Sequence, residues 1–395
     1  MDLIILVIGV LSTRSFAGQI PFIAEIGKAL LAEGCHLTLV TSKAGETLFR
    51  SLGLDVEYWL IDDREDITES NPIRVAFIMI KRMFRAGFLL RKKKLKKGTV
   101  VYANCNLLWE IFPLLLVKKE SVVRISTFIM GYPNPFKGYR GVFTNKLKIP
   151  GLRETLAYIQ YRLALPCLKY ISDLVLAYPH MRDLLLGKGI PEGKIVKLEV
   201  GVRWGILNAV APSEVKYNAC WIGRFNIQKG CEDLIEIWEM VCGVERDARL
   251  AIMGDVVKEL EPLSKRKHLV KGIEFMGTVS EEIKYRVMKG SAVFLFPSYY
   301  EAWPQTAQEA MACGLPVVAY DLPVYQHIFP GGMVKVPIGD KEAFAREVIN
   351  LLHDRKRRER LAVEAFGVAS QYTWDKTAKR LFTEANRLRN QLFTA

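Results

Sequence analysis

Cysteine is thin in this 395-residue chain and nowhere spaced for metal: the seven cysteines, at 35, 105, 167, 220, 231, 242 and 313, form no Cys-x-x-Cys pair and are odd in number. That pattern argues against a zinc site and against a disulfide framework, and points to a reducing compartment. No Asp-x-Asp occurs either; the acidic run Asp62-Asp63-Arg64-Glu65-Asp66 does not contain one. No Gly-x-Gly-x-x-Gly follows the first apolar run, so the dinucleotide fingerprint is missing. No apolar run reaches the roughly 18 residues a membrane span needs. Met1–Val10 is apolar but carries Asp2 and no basic leader, so it is expected to be a first buried strand rather than a signal peptide, and the protein to be cytoplasmic. The sharpest absence is local: between Glu69 and Glu110 there is no acidic residue at all.

That gap is filled by base. Arg74, Lys81, Arg82, Arg85, Arg91, Lys92, Lys93, Lys94, Lys96 and Lys97 fall within it, beside Phe77, Ile78, Met79, Ile80, Met83, Phe84, Phe88, Leu89 and Leu90. On one helix this is the composition of an interfacial segment on anionic lipid. It equally suits a surface helix with a solvated basic face. Residues 72–97 are therefore a candidate contact with an anionic membrane surface. No nucleic-acid module accompanies the charge, and no nucleic-acid partner is expected. The whole chain carries 56 basic against 42 acidic residues, a formal charge of +14, which favours an anionic partner.

The length suits two domains, and half the residues are apolar, enough for large cores. Leu3–Ile8, His36–Thr41, Thr99–Ala103, Val122–Thr127, Ser172–Ala177 and Lys194–Glu199 are short apolar runs expected as buried parallel strands. Gly18–Glu33 has helical spacing and stops at Gly34, and Leu107–Val117 is expected as a buried helix. After a break near Pro212, the same grammar restarts with strands at Ala219–Ile222, Arg249–Met253, Ile273–Met276, Ala292–Phe296 and Val317–Tyr320. Repeated βα units in both halves predict an α/β chain of two Rossmann-like domains. The expected division is 1–205, a linker at 206–217, a second domain at 218–373, and a C-terminal helix at 374–395.

The most informative stretch runs from Pro297 to Tyr320: a loop carrying Glu301, Pro304 at the first helical position, a helix containing Glu309, a stop at Gly314, then a strand. Ligands in open parallel sheets bind beyond the strands' carboxyl ends, and an ionised carboxylate there accepts from sugar or ribose hydroxyls. The Glu301-x7-Glu309 spacing, with AMACGLPVVA after it, resembles the nucleotide-binding signature of retaining family-four glycosyltransferases (glycosyl transferases group 1) of GT-B fold. Trp221–Phe225 followed by Lys229-Gly230 resembles that family's diphosphate-binding segment. The resemblance is clear over Tyr217–Asn390 and fainter over Asp2–Leu207.

The resemblance implies two facing domains, with the terminal helix crossing back to the first. It implies transfer of a hexosyl group from a nucleoside diphosphate sugar to an acceptor hydroxyl, lipid-linked or membrane-proximal, with retained configuration. Arg224 and Lys229 would hold the diphosphate, Glu301 would lie against the donor sugar, and Glu309 would take the ribose hydroxyls. Gly223, Ala302, Trp303, Gln305 and Thr306 complete the donor side, and Gly18 matches one glycine of a paired-glycine loop. Catalytic work falls to Arg224, Lys229 and Glu301. With no Asp-x-Asp, fixed cations would replace a metal, and no cofactor is expected. Three departures stand out. No His follows the strand that ends at Thr127, where Ser126, Thr127 or Tyr132 remain as polar candidates. Arg203 stands where the family has Asp, and Ala302-Trp303-Pro304 replaces Gly-Phe-Gly. A nucleotide-sugar epimerase of the same fold, or a non-catalytic nucleotide- or polyanion-binding protein, are the competing readings.

Overall fold

The computed structural model describes residues 1–13, 19–68, 70–128, 135–136, 151–266 and 272–393. These fall into two compact units, one made of residues within 1–136, 151–200 and 374–393, the other of 201–373.

Unit 1 is organised on seven parallel strands: β1 (Asp2–Val7), β2 (His36–Ser42), β3 (Glu57–Asp62), β4 (Thr99–Ala103), β5 (Val122–Phe128), β6 (Leu174–Ala177) and β7 (Ile195–Lys197). Their spatial order is β3-β2-β1-β4-β5-β6-β7. Every residue of β4 and β5 is buried, as a sheet covered on both faces requires. The chain leaves β1 toward β2 on one side and returns to β4 on the other, so β1/β4 is the topological switch point. The helices that matter here are α1 (Gln19–Ala32), α2 (Pro72–Lys92) and α3 (Leu152–Ile171). The terminal helix Trp374–Phe393 also belongs to this unit. Trp374 meets Phe22 of α1 edge to face at 5.5 Å, and Arg380 pairs with Glu199 at 2.8 Å.

Unit 2 holds six parallel strands: β8 (Tyr217–Ile222), β9 (Leu250–Met253), β10 (Ile273–Gly277), β11 (Ser291–Phe296), β12 (Val317–Tyr320) and β13 (Met333–Val336), ordered β10-β9-β8-β11-β12-β13. Its switch point is β8/β11. Helices α4 (Cys231–Val244), α5 (Glu281–Gly290) and α6 (Gln305–Ala312) flank the site. Trp221, Trp238, Phe344 and Leu250 anchor the core on one face of the sheet.

Several expectations are revised. Strand β3 was unread because Glu57 and Tyr58 break the apolar run at a sheet edge, and α3 because Pro166 lies within it. The expected helix 107–117 is an α-helical turn, Leu108–Ile111, running into a 3-10 turn, Phe112–Leu115, at Pro113. The stretch expected as a linker, 206–217, begins inside a helix, Trp204–Ala209, and is fastened to unit 2. Lys289 Nζ donates to the carbonyls of Leu207 and Val210, both at 2.7 Å. Arg82, counted above with the surface cations, points inward and is buried against Asp62 at 2.8 Å.

Candidate active site

The two loops at the β8/β11 switch point are stitched together by one backbone and one side-chain hydrogen bond. Tyr299 N donates to the Gln228 carbonyl at 2.8 Å, and Gln228 Nε2 to the Tyr300 carbonyl at 2.7 Å. Between them Gly230 turns with φ +63°, and a Cβ there would stand 1.9 Å from the Pro297 carbonyl oxygen. Only glycine permits that approach and that backbone angle. The loop after β11 is further held by Asp233 of α4, whose buried carboxylate accepts from the hydroxyls of Tyr299 and Tyr320 at 2.6 and 2.7 Å.

This stitching brings Lys229 and Glu301 together, 72 residues apart in the chain. Lys229 Nζ lies 2.7 Å from Glu301 Oε1, with the carboxylate nearly enclosed and the ammonium partly open. Gly223 packs over the Trp221 ring and donates to the Met253 carbonyl. Arg224 sits on the same loop but is exposed, and Glu301 pairs with Lys229 rather than with it. Two buried hydroxyls absent from the sequence reading, Ser298 Oγ and Tyr325 OH, have no hydrogen-bond partner. Burial, reinforced by the Glu301 and Asp321 charges, pushes the Tyr325 phenol well up. No spacing rule marks Tyr325, which opens the short helix Tyr325–Ile328 after β12.

Ala302, Gln305 and Thr306 are half-buried at the entrance to α6. Pro304 occupies the cap position, one residue earlier than expected, and the helix starts at Gln305. Its first turn leaves backbone N–H groups directed out of the helix. Trp303 does not offer its ring to this opening. Its indole N–H donates to Gln308 Oε1 at 2.8 Å, and the ring packs edge-on against Phe329 and Tyr372. The indole that stands where the family has Phe has become part of the core.

Glu309 is buried within α6 and paired with buried Lys284 of α5 at 2.9 Å, with Tyr285 OH donating at 3.4 Å. Lys284 also meets Glu281 at 2.9 Å, and Arg203 reaches Glu281 at 3.4 Å. Burial works against the Lys284 charge, but Glu309 and Glu281 outweigh it and raise its pKa. Lys284 was missed because its own helix carries the ordinary Glu281–Lys284 spacing of a surface pair.

In unit 1, Glu110 closes the β1/β4 switch point. Its Oε1 accepts from the amides of Ile8 and Gly9 at 2.7 and 2.9 Å, and burial pushes the carboxyl up to about 8. Arg82 caps the same turn through the carbonyls of Ile8 and Val10. Ser126 and Thr127, the polar candidates after β5, are buried and spent on Ser172 and Tyr102, each at 2.6 Å. Gly18 and Tyr132 lie outside the described residues. No group of three or more His, Cys, Asp or Glu that could hold a metal gathers among the described residues.

With this geometry in place, residues 206–367 match the family model of glycosyl transferases group 1. The phosphatidyl-myo-inositol mannosyltransferase of Mycobacterium leprae is 30% identical over 165 residues, 41% of this chain and 44% of that protein. An uncharacterized glycosyltransferase of Methanocaldococcus jannaschii is 32% identical over 268 residues, 64% of this chain and 62% of that one. The chain thus spans under half of the first relative and under two thirds of the second. Among solved structures, Anabaena HepE with UDP and glucose superposes with a TM-score of 0.72 at 15% identity, over 98% of this chain and 100% of that one. Sucrose-phosphate synthase from Thermosynechococcus elongatus gives 0.74 at 16%, over 100% and 99%. The chain therefore has the GT-B fold: two Rossmann-like, parallel-sheet units.

Proposed function

We propose that this protein transfers a hexosyl group from a nucleoside diphosphate sugar, bound on unit 2, to a hydroxyl of a lipid-linked or membrane-proximal acceptor, with retention and without a metal. The observation that carries the reading is the Lys229–Glu301 pair, set at the β8/β11 switch point by Gly230 and the stitched loops. Lys229 supplies a point charge and Arg224 a planar fork of donors for the departing diphosphate. Pre-placed cations lower the barrier by meeting charge as it develops, with no reorganisation needed at that moment. Glu301 orients Lys229 and accepts from a donor-sugar hydroxyl, and Tyr325 and Ser298 add hydroxyls nearby. The first-turn amide of Thr306 is a further donor to phosphate oxygen; that of Gln305 is spent on the Trp303 carbonyl. Glu309, held by Lys284, receives the ribose hydroxyls.

No carboxylate is assigned as a nucleophile. The leaving diphosphate takes the proton of the incoming hydroxyl on the face from which it departs, which retains configuration. A relative named for transfer to phosphatidyl-myo-inositol supports a lipid acceptor, and a neighbour solved with UDP-glucose supports the donor class. Residues 72–97 give the peripheral contact with an anionic membrane face; no helix among the described residues is long and apolar enough to cross a membrane.

The test is thermal unfolding with a panel of nucleoside diphosphates in the presence of a chelator. At 100 times its dissociation constant a bound nucleotide adds about 2.7 kcal/mol, a shift that Arg224→Ala should abolish. Absence of any shift, or a shift that needs added divalent metal, removes the metal-free donor site. Retention is read from the anomeric configuration of the product.

A further inference from the structure

Helix α2 exposes a row of apolar side chains on one face: Ile73, Phe77, Ile80, Phe84 and Phe88, four of them at least half exposed. The spacings of three and four keep them on one line along a helix of 3.6 residues per turn. Along one flank of that line stand the exposed cations Arg74, Lys81 and Arg85, with no acid anywhere on the helix. Along the other flank α3 approaches, and its own apolar side chains Leu156, Ile159 and Leu163 are also exposed. Between α2 and α3 runs a groove of about 430 Å³, lined by Ala76, Met79, Met83, Leu156, Ile159 and Leu163 among others. That is the size of a ligand cleft, which typically spans about 300–1,000 Å³.

The groove does not stay on the surface. Leu11, from the turn after β1, and Trp109, after β4, also line it. Trp109 stands at the β1/β4 switch point, its indole nitrogen 3.3 Å from where a Gly9 Cβ would lie. Around that turn four polar atoms have no hydrogen-bond partner: Trp109 Nε1, Glu110 Oε2, Arg82 Nη2 and Asn104 Oδ1. Buried polar atoms are ordinarily satisfied, and four open ones around one turn need an explanation. Of these four residues Trp109 alone lines the groove, together with the polar side chains Thr68 and Gln160, so the slot is apolar with a small polar part, as an amphiphile requires.

We infer that this groove takes one hydrocarbon chain of an anionic membrane lipid, and that this lipid is itself the acceptor, its hydroxylated head group lying at the β1/β4 switch point. The choice of occupant rests on charge: a lipid leaflet that meets the exposed aromatic row also meets Arg74, Lys81 and Arg85, which an acidic head-group layer would neutralise. The groove then opens into the hydrocarbon of that leaflet. The inference deepens the transferase reading by naming the acceptor as a lipid rather than a soluble glycan.

The experiment uses the full chain with phosphatidylcholine vesicles containing phosphatidylglycerol, part of it carrying a diazirine midway along one acyl chain. Irradiation and mass spectrometry should place the label on Met79, Met83, Leu156, Ile159 or Leu163. Filling the groove with the pair Ala76→Trp and Ala157→Trp should cut that labelling about tenfold, the scale of an overpacking penalty, while co-sedimentation with vesicles is unchanged. The nucleotide melting shift of unit 2 is measured on the same variant. If it persists while groove labelling was never present, the lipid inference falls and the donor site stands. If labelling is present and no nucleotide binds, the reverse holds. Label confined to Phe77, Phe84 and Phe88, or labelling unaffected by the filled groove, overturns the inference. A concentration-dependent dimer dissociated by Ile159→Lys, with no lipid label, assigns the face to a second copy instead and overturns it too.

Discussion

Lys284 has no reason to be buried except its carboxylates. It lies between Glu309 and Glu281, almost fully enclosed, and an enclosed cation without partners costs several kcal/mol. Removing one member of such a set leaves the others uncompensated. Lys284→Met should therefore destabilise by about 3–5 kcal/mol, and Lys284→Met with Glu309→Gln should recover much of that loss. Equal melting temperatures for the single and double variants would show that the pair is not the cause. The sign with pH follows from the raised Lys284 pKa. A cation whose folded pKa exceeds its unfolded value of about 10.4 contributes fully below that value and loses its contribution as pH rises through the folded one. The gap between the parent and Lys284→Met should narrow under strongly alkaline conditions, and also on acidification as Glu309, whose pKa burial raises, takes up a proton.

At the scale of elements, the loops after β8 and β11 work as one piece because Gly230 presses on Pro297. Gly230→Ala adds a methyl group at a left-handed angle against a carbonyl oxygen. Both strain and collision exceed the roughly 1 kcal/mol that glycine ordinarily gains or loses. The expected result is a lower melting temperature together with loss of the nucleotide shift; a variant that keeps both would mean the loops are not coupled through this contact. Much of this element was legible beforehand. Glu301, Glu309, Lys229 and Gly314 sit in strings whose turn chemistry and spacing are local. What was not legible needed a third dimension. Arg82 is one of ten basic residues in its stretch, and only its rotation about α2 sends it to Asp62. Trp303 looked like a donor contact because it follows Glu301, yet Phe329 and Tyr372, distant in the chain, draw its ring inward. Helix α3 carried no cap or period clear enough to read, and so one wall of the α2–α3 groove was invisible from the sequence.

At the scale of the whole molecule, the +14 charge is a statement about partners and salt. Charge of this kind acts through a screening length of about 10 Å at 0.1 M ionic strength. Co-sedimentation with vesicles containing phosphatidylglycerol should weaken steeply between low and high salt and disappear with neutral vesicles; binding indifferent to both would rest on the apolar row alone. Connectivity adds a different consequence. Among the described residues unit 2 is the single stretch 201–373, whereas unit 1 closes only when the helix Trp374–Phe393 docks on α1. During synthesis the strands of unit 1 emerge first, but Phe22 meets no Trp374 until the whole of unit 2 has been made. The domain begun first is therefore finished last, and for that interval the apolar bed of α1 is uncovered on the ribosome, where a chaperone has its opportunity.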